Sequence, residues 1–184
     1  MTVLSLYSLT AMTMSLLGTL SSLDQSISSK IHNCQISIFE YPLAAFALIC
    51  SYVGVPIVLL LVFLLIGPKP ALVYACMILS GVLITSAIKR VTRRVRPGKI
   101  ANRLVNLRFM ERNFSFPSGD SFQAACMATF LNATLSTDSV MLLIPIVMFA
   151  RVYFGFHWVG DTIAGALLGI VVSGNLMPVL AYMV

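Results

Sequence analysis

Apolar stretches long enough to cross a bilayer recur along this chain, and they leave it few ways to fold. A hydrocarbon core takes a helix of about 20 residues. Apolar sequence runs from Ile36 to Gly67, from Ala71 toward the mid-90s, from Ser118 to Leu135, from Asp138 to Tyr153 and from His157 to Met183. Only 10% of the 184 residues are charged, while 59% are apolar. A water-soluble domain carries about 25% charged residues to wet its surface, so lipid must coat much of this one. The expectation is an all-α, polytopic transmembrane bundle of five to six helices, forming one domain over residues 1–184.

Breakers divide the runs. Pro42, Gly54 and Pro56 interrupt the stretch after Ile36, which reads as a short interfacial piece followed by a spanning helix. Gly67-Pro68-Lys69-Pro70 ends it. The Ala71 helix is expected to run to Pro97, and a polar loop, Gly98 to Pro117, follows. Met1–Leu23 is apolar, with Ser and Thr but no preceding Lys or Arg. It lacks the basic n-region of a signal peptide and reads as a first membrane or interfacial helix, ahead of a polar stretch from Asp24 to Gln35. The four cysteines (34, 50, 76 and 126) have no metal-ligand spacing.

Charge is concentrated. Of the 12 Lys and Arg residues, nine lie between Lys89 and Arg112, and Arg151 is another. Between membrane helices such a block excludes nucleic acid as a partner and suits a phosphate or lipid headgroup. Successive spans alternate direction, so the end of the Ala71 helix and the start of the Ser118 helix share one membrane face. The chain crosses and returns, which brings Arg151 and His157 to that face too. All the unusual polar residues converge there.

Each cluster has two readings. Lys89, Arg93 and Arg96 fall on one helical stripe, either as a clamp for phosphate oxygens or as cations snorkelling from a helix end. Ser118-Gly119-Asp120 opens a helix, where free N–H groups bind an anion or where Ser118 or Asp120 simply caps. His157 and Asp161, at i and i+4, suit a nucleophilic imidazole held by a carboxylate, or a satisfied interfacial pair. His32 stands alone. Tyr153 and Trp158 read as interface anchors.

In order along the chain, Lys89-x6-Arg96-Pro97, Pro117-Ser118-Gly119 and Arg151-x5-His157-x3-Asp161 closely resemble the three motifs of the type-2 phosphatidic acid phosphatase superfamily. The short length and the Phe-Ser-Phe-Pro-Ser-Gly context look most like its presqualene or polyisoprenoid diphosphate phosphatase branch. The resemblance implies hydrolysis of a lipid phosphate or diphosphate, with His157 accepting the phosphoryl group and Asp161 orienting it. Lys89, Arg96, Arg151, Ser118 and the Gly119 N–H would hold phosphate oxygens. No metal or other cofactor is implied, since side-chain cations fill that role. A phosphotransferase of the same superfamily, or a silent protein that binds anionic lipid, is the alternative.

One residue departs from the pattern. The family usually has His after Pro-Ser-Gly, where it protonates the leaving oxygen; here that position is Asp120. A carboxyl beside a helix N-terminus and several cations is held ionised, so it makes a poor acid. The enzyme is then dead, or finds its acid elsewhere, or takes a substrate that needs none. The last is favoured: a diphosphate ester expels a phosphate monoester with a pKa of about 6, and Asp120 remains as a base for water in the second step.

Orientation carries a conflict. The positive-inside rule places the basic loop, including Arg90, Lys99, Arg103, Arg108 and Arg112, in the cytoplasm. The resemblance points to a lumenal or exoplasmic site, in an endoplasmic reticulum membrane or a bacterial plasma membrane. Sequons occur at Asn113 on that loop and at Asn132 near the opposite face.

Overall fold

A computed structural model describes residues 3–98, 100, 103–105, 107 and 114–183. Among them lie seven α-helices: α1 (Val3–Asn33), α2 (Glu40–Ile49), α3 (Gly54–Leu65), α4 (Pro68–Thr92), α5 (Gly119–Leu135), α6 (Leu143–Tyr153) and α7 (Val159–Met183). Short 3₁₀ turns precede α2 and α6. No described residue is in a strand. Helices α4 and α7 are each long and apolar enough to cross a membrane, and α2 with α3 would make a third span bent by 69°. Counting that bent pair as one unit, the seven helices make six, the upper figure expected from the sequence.

The bundle is built around α5. Positions 121–128 are all buried, and their small side chains (Ala124, Ala125, Cys126, Ala128) let neighbours approach from every side. A helix that is apolar all round belongs inside. Its most extensive partner is α7, whose Gly165 and Gly169 lie against the backbone of Ser118 and Phe122 so closely that a Cβ at either would collide with a carbonyl. Such a small-xxx-small stripe brings two backbones together in lipid. The opposite faces of the outer helices expose Leu60, Leu64, Leu72, Leu83, Leu167 and Val171, an apolar surface suited to lipid tails.

Two boundaries differ from the sequence reading. The polar stretch after Leu23 does not end α1: the helix continues to Asn33. Asp24, Ser28 and Ile31 share a stripe that meets α6 and α7, with Ser28 fully buried and Ile31 packed near Ala150 and Tyr153. Helix α4 stops at Thr92 rather than running to Pro97. Arg93 takes a left-handed conformation, φ 47°. Beyond it the Arg94 carbonyl accepts from the Ser115 N–H at 2.8 Å, so a long-range partner captures an acceptor that a longer helix would have used.

The loop after α4 is fastened by a buried polar cluster. Glu40 on α2 accepts from Tyr153 Oη (2.6 Å) and from the N–H of Leu104 (2.7 Å). Arg103 lies 3.5 Å above the Tyr153 ring and donates to the carbonyls of His32, Cys34 and Tyr153. Tyr153 is therefore a buried hydrogen-bond donor and not an interface anchor. Replacing Glu40 with alanine would strand several buried donors, at about 1–3 kcal/mol for each unmet group. Glu40→Ala should therefore unfold several degrees below wild type in a thermal melt in detergent.

Candidate active site

The start of α7 is brought beside the end of α6 by a tight reversal. Gly155 has φ 73°, a conformation that resists a side chain, and a Cβ there would meet Ile100 at 2.6 Å. The reversal lets the N–H groups of both Phe156 and His157 donate to the Arg151 carbonyl, at 3.0 and 3.2 Å. Arg151 and His157, six positions apart, thus share one turn. The Ser118 N–H donates to the Asp161 carbonyl at 2.9 Å, joining the start of α5 to the same place.

His157 is 1% exposed. Its Nδ1 lies 3.5 Å from Asp161 Oδ2, and its Nε2 lies 3.3 Å from Arg96 Nη1. Arg96 is held in turn by the carbonyls of Phe156 (2.7 Å) and Phe114 (3.2 Å). A carboxylate at one ring nitrogen and a guanidinium at the other suit attack on a phosphorus anchored by that guanidinium. Arg96 comes from the extended segment after α4. It reaches the site, but not along the helical stripe that the sequence suggested. Arg93, placed on the same stripe, is exposed and donates to the Arg90 carbonyl, away from His157.

The start of α5 supplies the other wall. Ser118 caps the helix, its Oγ accepting from the Ser121 N–H at 3.2 Å, so the capping role weighed for it is present. A hydroxyl that accepts still carries a proton to donate. Asp120 Oδ2 lies 2.7 Å from Arg151 Nη2, with both side chains largely shielded. Lys89 sits one turn beyond Thr85 on α4, and Thr85 lines the same cavity as Gly119 and Asp120.

Two residues at the site were not singled out in the sequence. Arg94 donates Nη1 to Asp161 Oδ1 at 2.7 Å and Nη2 to Asp24 Oδ2 at 2.6 Å. Asp24 Oδ1 also accepts from the Gly160 N–H at 2.8 Å. A carboxylate at the end of a long apolar run is costly without a partner, and that was the available signal. Trp158 holds the loop through Nε1 to the Val95 carbonyl, 2.9 Å. Lys99, Arg108, Arg112 and Asn113 lie outside the described residues. Asn132 is near the far end of α5.

An apolar groove leads away from this cluster. A cavity of about 260 Å³ between α4, α5 and the α2–α3 bend is lined by Cys50, Tyr52, Ile78, Val82, Gly119 and Asp120, among others. Pro56 also lines a second cavity, of about 450 Å³, between α3 and α4 past Leu60 and Phe63 to Pro68. Asp120, ion-paired with Arg151, therefore lies on the wall of an apolar cavity.

Comparison with known proteins fits this geometry. The sequence profile of the PAP2 superfamily matches residues 70–182. The chain belongs to the PAP2 superfamily. Within that superfamily it is 28% identical, over 124 residues, to an undecaprenyl-diphosphatase of Sulfolobus acidocaldarius; the match covers 65% of this chain and 59% of the relative's length. The fold of this PAP2 chain resembles that of Aquifex aeolicus LpxE, with a TM-score of 0.72 at 24% identity, covering 85% of this chain and 95% of the other. It likewise resembles a PAP2-type phosphatidylglycerolphosphate phosphatase from Bacillus subtilis, with a TM-score of 0.72 at 22% identity, covering 87% and 85%. As a PAP2 chain with apolar outer helices, it is an integral membrane protein.

Proposed function

We propose that this protein is a membrane phosphatase that hydrolyses a lipid diphosphate or phosphate through a phosphohistidine on His157, with a polyisoprenoid diphosphate as its preferred substrate. The observation that carries this reading is the buried His157, set between Asp161 at Nδ1 and Arg96 at Nε2. In the first step Nε2 forms a bond to phosphorus while the bond from phosphorus to the bridging oxygen breaks, and the lipid monophosphate departs with that electron pair. Arg96, Lys89 and Arg151, with the Gly119 N–H and Ser118, stabilise the charge on the equatorial oxygens. Such electrostatic stabilisation is the chief device in phosphoryl transfer. In the second step water adds to phosphorus, the N–P bond breaks, and Asp120 takes the water's proton.

The lipid nature of the substrate is supported by the apolar cavity that Asp120 lines, and the diphosphate preference by Asp120 itself. A Sulfolobus relative named for an undecaprenyl diphosphate fits both. The test is phosphate release from purified protein in chelator, across isoprenoid diphosphates, isoprenoid monophosphates, phosphatidate and sphingoid phosphates. The isoprenoid diphosphate should be the best substrate, with metal removal changing nothing. Release from none of them, at rates matching His157→Ala, would overturn the reading.

The groove gives a separate expectation. Val82 is half-exposed and lines the cavity between α4 and α5. Val82→Trp should fill that cavity and lower kcat/KM for a long-tailed diphosphate by about tenfold, the scale of a few lost apolar contacts. A short-chain analogue that leaves the groove empty should be hydrolysed nearly as before.

A further inference from the structure

We infer that Arg94 and Asp24 are positioning residues for His157: from α1 and the segment after α4 they fix Asp161 and set how strongly it holds the imidazole. The inference rests on the reading of His157 as nucleophile, and Asp24 lies outside the stretch matched by the family profile.

The geometry is a relay. Asp161 is fully buried and divides its two oxygens. Oδ1 accepts from Arg94 (2.7 Å), while Oδ2 accepts from the Trp158 N–H (2.9 Å) and faces His157 Nδ1 (3.5 Å). With one oxygen pinned by Arg94, the carboxylate cannot rotate away from the ring. Arg94 is itself pinned on its far side by Asp24 (2.6 Å), and its guanidinium lies 5.7 Å from the Trp158 ring centre. Asp24 also takes the Gly160 N–H, and Ser28, one turn on, takes the Val159 N–H at 3.0 Å. Two residues of α1 therefore cap the helix that carries Asp161. Gly160 makes room for this: a Cβ there would come within 2.9 Å of Asp24 Oδ2.

The charges alternate along the relay: Asp24 negative, Arg94 positive, Asp161 negative, then His157. Arg94 draws on the charge of Asp161, and Asp24 offsets Arg94. From the other elements, Arg96 faces His157 at 3.3 Å, and Arg151, whose carbonyl accepts from the His157 N–H, pairs with Asp120. None of these changes when Arg94 or Asp24 is replaced. A neighbouring charge shifts an imidazole by its sign, so the two replacements must act in opposite directions. Arg94→Gln frees Asp161 to favour the imidazolium, and His157 should then protonate at higher pH. Asp24→Asn leaves Arg94 unopposed, and His157 should protonate at lower pH. Arg94→Lys keeps the cation and should stay near wild type.

The chain has two histidines, so labelled imidazole NMR on a His32→Gln background reads His157 alone, with or without catalysis. The full-length protein in detergent would be titrated alongside the three variants, and the acid limb of kcat/KM followed in parallel. Opposite displacements for Arg94→Gln and Asp24→Asn, with Arg94→Lys restoring the wild-type midpoint, are expected in both measurements. Midpoints that coincide with wild type, or move the same way in both variants, would overturn the inference. Should Arg94→Gln fail to fold, Asp24→Asn still has to move the midpoint down. Opposite NMR shifts in a protein that releases no phosphate would leave the relay standing and remove the phosphatase reading instead.

Discussion

Replacing His157 with alanine should reduce phosphate release by at least about 10⁴-fold, leaving a residue of activity from the cations alone. The size follows from what is removed. In enzymes that form a covalent intermediate, loss of the nucleophile typically removes several powers of ten, and electrostatic stabilisation and binding leave about 10³–10⁴ over water. On the proposed mechanism Asp161 would not substitute as nucleophile, because it lies on the Nδ1 side and is held by Arg94 and the Trp158 N–H. The measurement has two parts. Wild type quenched in mid-turnover with labelled substrate should carry an acid-labile phosphoryl group, and His157→Ala should carry none. A melting temperature near wild type would show that the lost rate is chemical, because His157 is buried and its removal leaves a small cavity. A variant that kept a tenth of wild-type activity would rule out the phosphohistidine.

Asp120→His should raise hydrolysis of a lipid monophosphate by about 10²-fold, the lower end of what a positioned general acid contributes, and change diphosphate hydrolysis far less. The reason lies in the leaving groups. A monophosphate ester must expel an alkoxide, which needs a proton as the bond breaks. In the proposed mechanism Asp120 stands in that acid's place, on the wall of the apolar cavity, but its Oδ2 is ion-paired with Arg151 at 2.7 Å, which favours the carboxylate over the acid. A diphosphate expels a phosphate monoester that leaves without help. Histidine at the same place would supply the proton. The ratio of kcat/KM for matched diphosphate and monophosphate, compared between wild type and variant, is the readout. Wild-type protein that handles both equally would remove the argument that Asp120 bears on substrate.

The same position shows how far the sequence can be read. Asp120 stood out as a departure from a motif, and a helix N-terminus among cations was reason enough to expect an ionised carboxylate. That its partner is Arg151 follows only from the packing of α6 against α5. Arg96 is a second case. Its place in the motif was plain from the spacing, yet the route by which it arrives was misread, because a helix-period pattern continues past Thr92. The stop comes from Ser115 bonding the Arg94 carbonyl, a contact spanning 21 positions that no local pattern encodes.

Composition and periodicity alone determined that this chain lives in a membrane, that it is helical, and that its polar motifs gather at one face. These follow from solvation and from the alternation of spans, which act on short stretches of chain. The motif spacing also named His157, Asp161, Arg96, Asp120 and Arg151, which the fold joins in contacting pairs, but not Arg94 or Asp24. The tertiary structure decided what holds them: α1 extended to Asn33, Asp24 and Arg94 paired behind Asp161, and Glu40, Tyr153 and Arg103 fastening the loop. The bonds among them join residues dozens of positions apart. Such a bond depends on where two helices pack, and the packing depends on small side chains such as Gly165 and Gly169 admitting a neighbour's backbone.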